Sequence, residues 1–423
     1  MKPHPHLLLL ALPLAISTAR AETGGFAPTV DMSGYGTAAY TRANTDQAEF
    51  GRFNQLGGAK KSPVDGVDSN LGIQGTLTVN DWLSFTGQGL ARKLATDRWG
   101  ADLYWAYAKA QVNKQWSLYA GRVVAPVYMI SDYRNVGFAN TMIRPPQEMY
   151  SQVPFDSIDG ASASYRSMLG ATNLTVQFAI GNAREKLALQ GTAPGSHQTI
   201  RAHAFKALNV LAEHGPVTFR LGYAQTDITL DGDPALGALT GALNGAGAGY
   251  ALPQLNRLAD ALAVNRKKAS FMSVGLALDL DDILVQSEAG KRRTQSAVPD
   301  STSWYVLGGY RFGKFMPYVS YASLKSSNSV SNTVPAACPA GYPDACTPTL
   351  QALSAAVSGG LASGLVEQST TSIGLRWNFS QSAAFKMQFD RVRPRHGSGL
   401  LLNATPGFNR DVTVCAAGVD FVF

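Results

Sequence analysis

Sixteen stretches of period-two alternation run from Thr29 to Phe423, and the connections between them switch strictly between short and long. The predicted strands cover 29–40, 69–79, 82–93, 101–112, 116–124, 158–166, 171–181 and 199–212. They continue through 216–229, 268–280, 283–294, 302–313, 315–325, 368–379, 383–394 and 411–423. NLGIQGTLTVN shows the pattern most clearly. Leu71, Ile73, Leu77 and Val79 share one face, while Asn70, Gln74, Thr76 and Thr78 share the other. This is how a half-buried strand reads. Every even-numbered segment but the last is followed by a turn of two to four residues: ND, NKQ, SMLG, EHG, DD, GK and SQS. The odd-numbered ones are followed by longer stretches, the largest being 41–68, 125–157, 230–267, 326–367 and 395–410.

A soluble sandwich has no reason to keep that rhythm through fifteen gaps. A sheet closed on itself across a bilayer does, with tight turns on one side and long loops on the other. In lipid every backbone group must be paired within the protein, so the sheet has no free edge. The expected fold is therefore all-β, a 16-stranded antiparallel transmembrane β-barrel with short periplasmic turns and long outer loops. The closing stretch agrees. Phe423, Phe421, Val419 and Ala417 lie on one face, apolar to the last residue. Phe421 and Phe423 are expected to face lipid at an aromatic girdle.

The start of the chain reads as an export signal. MKPHPH is basic, LLLLALPLAI is apolar, and Ala19 and Ala21 form an A-x-A site, so 1–21 is expected to be removed and 22–423 to form the barrel. Without Lys2 and Arg20 the formal charge falls from +7 to +5. No further run of 18 apolar residues suits a membrane helix. Length alone suggests two or three domains, yet no linker marks a boundary. Cys338 and Cys346 share one Pro-rich loop, and in an exported chain they are expected to form a local disulfide. Cys415, on an apolar strand face, reads as packing. Residues 252–264 and 350–365 look helical and fall inside long loops. In IRAHAFKALNVL, Lys206 falls on the face of Ile200, Leu208 and Val210. Either a bulge shifts the register there or the strand lies against a partner subunit. Ala202 and Ala204 are small enough to suit such an interface.

The runs GRVVAP, SDYRNVGFAN, RPPQEMY and DGASASYR, with the closing strand ending on Phe423, resemble the Gram-negative outer-membrane porins of the 16-stranded, general-diffusion type. The specific motifs lie in 116–166 and 411–423. The resemblance implies a third outer loop, 125–157, folded into the barrel as a constriction. It also implies a homotrimer and passive diffusion of small hydrophilic solutes and ions.

Strand parity supplies a charge map of the lumen. Arg92, Lys109, Arg122, Arg166, Arg220, Arg292, Arg311, Arg376 and Lys386 are expected to point inward. Only Asp279, Glu288 and Asp390 oppose them. The third loop adds Asp132, Glu148, Asp156 and Asp159 against Arg134 and Arg144. Rings of Arg and Lys favour anions in a pore. Each such Arg could equally brace the loop by pairing with a neighbouring strand. Arg391, Arg393 and Arg395, near the outer rim, have the chemistry to bind lipopolysaccharide phosphates and equally that of a solvated loop base.

Little points to catalysis or to a cofactor. The histidines at 4, 6, 197, 203, 214 and 396 lack metal-ligand spacing. There is no Walker loop and no GxSxG elbow. Nothing suggests a nucleic-acid partner. Three functions compete. The first is a passive, anion-preferring outer-membrane channel. The second is a channel selective for phosphate or organic acid anions. The third is a closed structural or adhesive barrel. In each case outer-membrane lipid and lipopolysaccharide are expected partners.

Overall fold

The computed structural model describes residues 27–188, 197–342 and 345–423. The expected signal at 1–21 lies outside them. All sixteen predicted strands are present. They are β1 (Thr29–Ala43), β2 (Asn70–Thr78), β3 (Leu83–Lys93), β4 (Trp99–Gln111), β5 (Trp116–Val124), β6 (Ser157–Leu169), β7 (Thr172–Ala188) and β8 (His197–His214). Then follow β9 (Val217–Asp231), β10 (Lys267–Leu280), β11 (Ile283–Thr294), β12 (Asp300–Tyr310), β13 (Phe315–Ser327), β14 (Glu367–Trp377), β15 (Ala383–His396) and β16 (Val412–Val422). Each pairs antiparallel with its sequence neighbours, and β16 pairs with β1 to close the barrel.

Closure explains the last residue. Phe423 N–H donates to the Gly34 carbonyl (2.9 Å), and Gly34 N–H donates to the Phe423 carbonyl (2.8 Å). The rings of Phe421 and Phe423 lie over Gly36 and Gly34, where an added Cβ would sit 2.4 and 2.3 Å from ring carbon. Glycine on β1 is what lets these aromatics lie flat against the wall. With Trp82, Trp116, Phe312, Phe315, Trp377 and Phe379, all exposed, Phe423 forms a girdle at the short-turn end. Above it the outward face carries Leu71, Ile73, Phe178, Ile180, Phe219 and Leu221, also exposed. Burying such side chains in water-free surroundings is worth about 1.5–3 kcal/mol each. Among the described residues no helix is long and apolar enough to cross a membrane.

The long loops carry the helices. The third holds a single turn, α1 (Gln147–Tyr150). The fifth holds α2 (Pro234–Gly249) and α3 (Pro253–Leu262), and the seventh holds α4 (Cys346–Ser363). The two predicted helical stretches are α3 and α4. α2 has no sequence counterpart among the expectations, because its glycines at 237, 241, 245, 247 and 249 weaken helix propensity. It starts cleanly nonetheless: the Asp233 side chain accepts from Leu236 N–H and Pro234 opens the first turn. The three helices pack through Leu243, Leu255, Leu258, Leu350, Leu353 and Val357. Cys338 and Cys346 are disulfide-bonded at the start of α4.

Bulges correct the parity map in two places. Between His203 and Lys206 the β8 register shifts. Ala204 there has φ of 50°. Below the shift Lys206 stays outward and exposed beside Leu208. Above it Ile200 and Ala202 turn inward and are buried. Ala202 therefore belongs to the interior. The second shift sets Gln88 and Gly89 of β3 against Trp105 and Leu103 of β4, leaving Tyr104 without a β3 partner. Two adjacent residues, Tyr104 and Trp105, then face the interior, both buried.

Candidate functional site

The third loop, between β5 and β6, runs inside the barrel. Its Val127, Tyr128, Ile130, Met142, Met149 and Tyr150 form one apolar cluster with Phe205, Phe271, Tyr305, Leu307 and Tyr318 of the facing wall. These wall residues are apolar on the inward face because the loop, and not water, covers them.

Polar locks hold the loop around that cluster. Arg144 donates from Nε and Nη2 to Asp68 (2.9 and 2.6 Å) and from Nη1 to Asp390 (2.5 Å). All three are buried. Its guanidinium also lies 4.8 Å from the Phe50 ring centroid. Lys386, 0% exposed, donates to the carbonyls of Gly137, Asn140 and Met142 and pairs with Asp420 at 2.8 Å. Arg376 donates to the Asn140 carbonyl (3.0 Å) and stacks over Phe138. Arg220, 1% exposed, reaches Ser273, the Pro126 carbonyl and Glu288. Glu288 in turn accepts from Met129 N–H and from the Tyr150 hydroxyl (2.9 and 2.7 Å). Arg292 donates to the Gln152 and Pro299 carbonyls. Glu148 accepts from Gln368 and Thr370.

The cations expected to line water thus divide into four sets. Arg220, Arg292, Arg376 and Lys386 face inward but lie against the loop, along with Arg144. They are tethers to backbone carbonyls and buried carboxylates. Arg311 sits at the short-turn end, paired with Asp279 at 2.6 Å. Arg122 was expected inward; the register places it otherwise. It follows Leu118 and Ala120 on the outward parity and opposes Asp159 of β6. The two form a bidentate pair (2.7 and 2.9 Å). Arg122 also donates to the Leu103 carbonyl on a stretch of β4 that β5 does not reach. Inward parity places Lys109 beside Tyr107, Arg166 beside Ser164, and Arg92 beside Leu90.

Two cavities lie mainly along the β1–β7 wall. An outer basin of about 380 Å³ is lined by Arg52, Arg92, Arg134, Asp102, Asp156 and Glu185, with the Arg122–Asp159 pair on its lip. An inner cavity of about 840 Å³ is lined by Tyr35, Trp105, Tyr107, Tyr119, Tyr133, Phe138, Asp132 and Arg166. Between them Tyr35, Leu90, Tyr104 and Trp105 pack together against Val136 of the loop. Asn135 of the loop donates to the Tyr104 hydroxyl (2.9 Å).

The loop carboxylates titrate according to their partners. Burial would raise Asp68, but Arg144 and Arg52 outweigh it and hold the carboxyl below its ordinary range. Asp156 is likewise lowered: burial opposes, while Arg134 at 2.7 Å and Arg92 at 3.7 Å prevail. Burial raises Asp132 against the pull of Arg220 and Arg166. Burial also raises Glu148, which has hydrogen-bond donors but no cation partner. Among the described residues no group of His, Cys, Asp or Glu could hold a metal ion.

No family model matches the chain, and no curated protein matches it. Solved structures do. An anion-selective porin from Comamonas acidovorans is 13% identical, with TM-score 0.53 over 94% of this chain and all of that one. OmpT, an outer membrane protein of Vibrio cholerae, is 12% identical with TM-score 0.52, over 94% of this chain and 98% of its own. OmpF of Salmonella typhi, solved with daunomycin, is 12% identical with TM-score 0.51, over 93% and 97%. At these identities the likeness shows the fold: a closed 16-stranded barrel of the outer-membrane porin type.

Proposed function

We propose that this chain, an outer-membrane barrel with the porin fold, forms a water-filled channel for passive diffusion of small hydrophilic solutes and prefers anions. One observation carries the proposal. The inward third loop packs against one side of the barrel, and two cavities border the other, one among outer-loop residues and one toward the short-turn end. Cations outnumber acids at the points where a solute would meet charge. Arg52 and Arg92 border the outer basin, and Lys109 and Arg166 stand on the inner side. Most of the remaining interior cations are spent on the loop. A closed adhesive barrel would have no need of two such charged cavities.

Three further parts belong to the same reading. Residues 1–21 serve as the export signal. The chain works as a homotrimer, as OmpT of Vibrio cholerae was solved in a trimer form. Its smoothest outer face suits that packing: Ala106, Ala108 and Ala110 on β4, Ala120 on β5, and Ala161 and Ala163 on β6. At the rim, Arg391 and Arg393 share Asp411 (2.9 and 3.5 Å), and with exposed Arg395 they face outward toward lipopolysaccharide phosphates.

A planar bilayer holding the purified protein under a potassium chloride gradient tests the function. The expected record is stepwise conductance with a reversal potential on the anion-selective side. A cation-selective reversal potential would overturn the charge assignment. The absence of steps would overturn the channel.

A further inference from the structure

We infer that the junction between the two cavities is a slot for small planar aromatic anions, an arene carboxylate such as benzoate being the simplest. The inference rests on the channel reading and names the solute class that the channel favours. A pore for hydrated inorganic ions has no use for an aromatic waist. Here the bulge at Tyr104 turns two neighbouring rings into the lumen, their centroids 5.2 Å apart and tilted by 34°. Tyr35 and Leu90 complete the wall, and Val136 closes it from the loop. Aromatic faces attract a further ring in offset or edge-on geometry.

One polar group at the waist points the same way, the indole N–H of Trp105. Among the described residues Trp105 Nε1, Gln88 Oε1 and Asn70 Oδ1 are buried without a hydrogen-bond partner, and of these only Trp105 Nε1 is a donor. Their residues are 9%, 2% and 8% exposed. Gln88 donates its amide nitrogen to the Tyr35 hydroxyl (2.8 Å), and its free oxygen, like that of Asn70, is an acceptor that gives a carboxylate no bond. Gln88 and Trp105 border the inner cavity, and Asn70 borders the outer basin. A buried indole N–H suits a carboxylate oxygen. Charge brackets the rings on both sides. Arg92 stands above, 3.7 Å from Asp156, and Arg166 lies below among Tyr107, Tyr119 and Tyr133. A solute with one flat apolar end and one anionic end meets cation, ring and cation in turn. An inorganic anion gains only the charge, and a saturated acid gains charge and area but no ring contact.

The test compares sodium benzoate with sodium cyclohexanecarboxylate, similar in size and charge but not planar. Protein in a bilayer is first recorded in potassium chloride, then under a gradient of each acid. The structure calls for benzoate to permeate about fivefold better, the scale of one ring contact, with a current that saturates with concentration. Trp105→Leu is expected to bring the ratio close to one. Should that variant fail to fold, Arg92→Gln serves: both acids lose permeability while the ratio between them persists. Equal permeability of the two acids in the parent channel overturns the slot and leaves the channel standing. A ratio unmoved by Trp105→Leu, or abolished by Arg92→Gln, also overturns it. No conductance in potassium chloride overturns the channel reading, and the slot falls with it.

Discussion

Replacing Arg144 with alanine is expected to free the third loop and enlarge the channel. The change strands two carboxylates, Asp68 and Asp390, both buried and both now facing Arg144. Breaking a buried pair by removing one partner costs about 3–5 kcal/mol, because the remaining charge has nowhere to go. Arg52 still reaches Asp68 at 3.0 Å, which places the loss at the lower end for that carboxylate. Asp390 keeps the Gln388 amide, at 2.7 Å, and among the described residues no cation replaces Arg144 beside it. The loop has other tethers, above all Lys386, so the barrel itself should still close. Single-channel conductance in potassium chloride should therefore rise and become noisy, while the thermal unfolding temperature drops. Arg144→Lys keeps the charge but not the fork that meets two carboxylates at once, and should fall between the two. Unaltered conductance with unaltered thermal stability would mean that this cluster does not hold the loop.

Acid should act on the same anchor. The folded-state pKa values of Asp68 and Asp156 lie below their ordinary value, since arginine partners outweigh burial. Their contribution is therefore fully present above the unfolded value of about 4 and is lost as pH falls through the lowered folded values. Glu148 has the opposite sign. Its folded value is raised by burial, so it disfavours the docked loop as pH rises above the ordinary glutamate range. Loop docking should be strongest in mildly acidic solution. It should weaken sharply below about pH 4 and slightly toward neutrality. Conductance recorded across that range should show a minimum between the two. Glu148→Gln still accepts from Gln368 and Thr370 and should reduce the rise on the neutral side alone, leaving the part that the raised Asp132 contributes. A conductance that changes monotonically with pH in the parent protein would contradict the assignment.

The barrel was legible because lipid and water impose one rule on every strand. Period two in the strands and the short–long rhythm of the connections each survive errors of a few residues. The interior was less legible, since its solvent is neither lipid nor plain water. Phe205, Phe271, Tyr305, Leu307 and Tyr318 face inward against a loop whose path no local pattern encodes. Parity alone also cannot see bulges. One extra residue in β4 turns Tyr104 and Trp105 to the same side, and the shift in β8 sends Ala202 inward. Arg122 was misplaced by a single position in its strand. Lys386 and Arg220 are buried, and their partners lie in another part of the chain. Only the fold shows that they grip backbone carbonyls and buried acids. The Gly-rich composition of α2 concealed a helix that its neighbours α3 and α4 stabilise through shared leucines.

A cysteine scan along β2 tests the central assignment, that one face of the wall meets lipid and the other water. Cys415 is first replaced by serine, and single cysteines are placed at Leu71, Ile73 and Leu77, then at Gln74 and Thr76. The first three side chains are outward and exposed, whereas Gln74 borders the inner cavity. In liposomes, the outward set should resist a membrane-impermeant thiol reagent and be quenched by a probe confined to the acyl chains. The inward pair should react from water and escape the quencher. Loss of that alternation, or its reversal, would contradict the barrel's placement in the membrane and everything built on it.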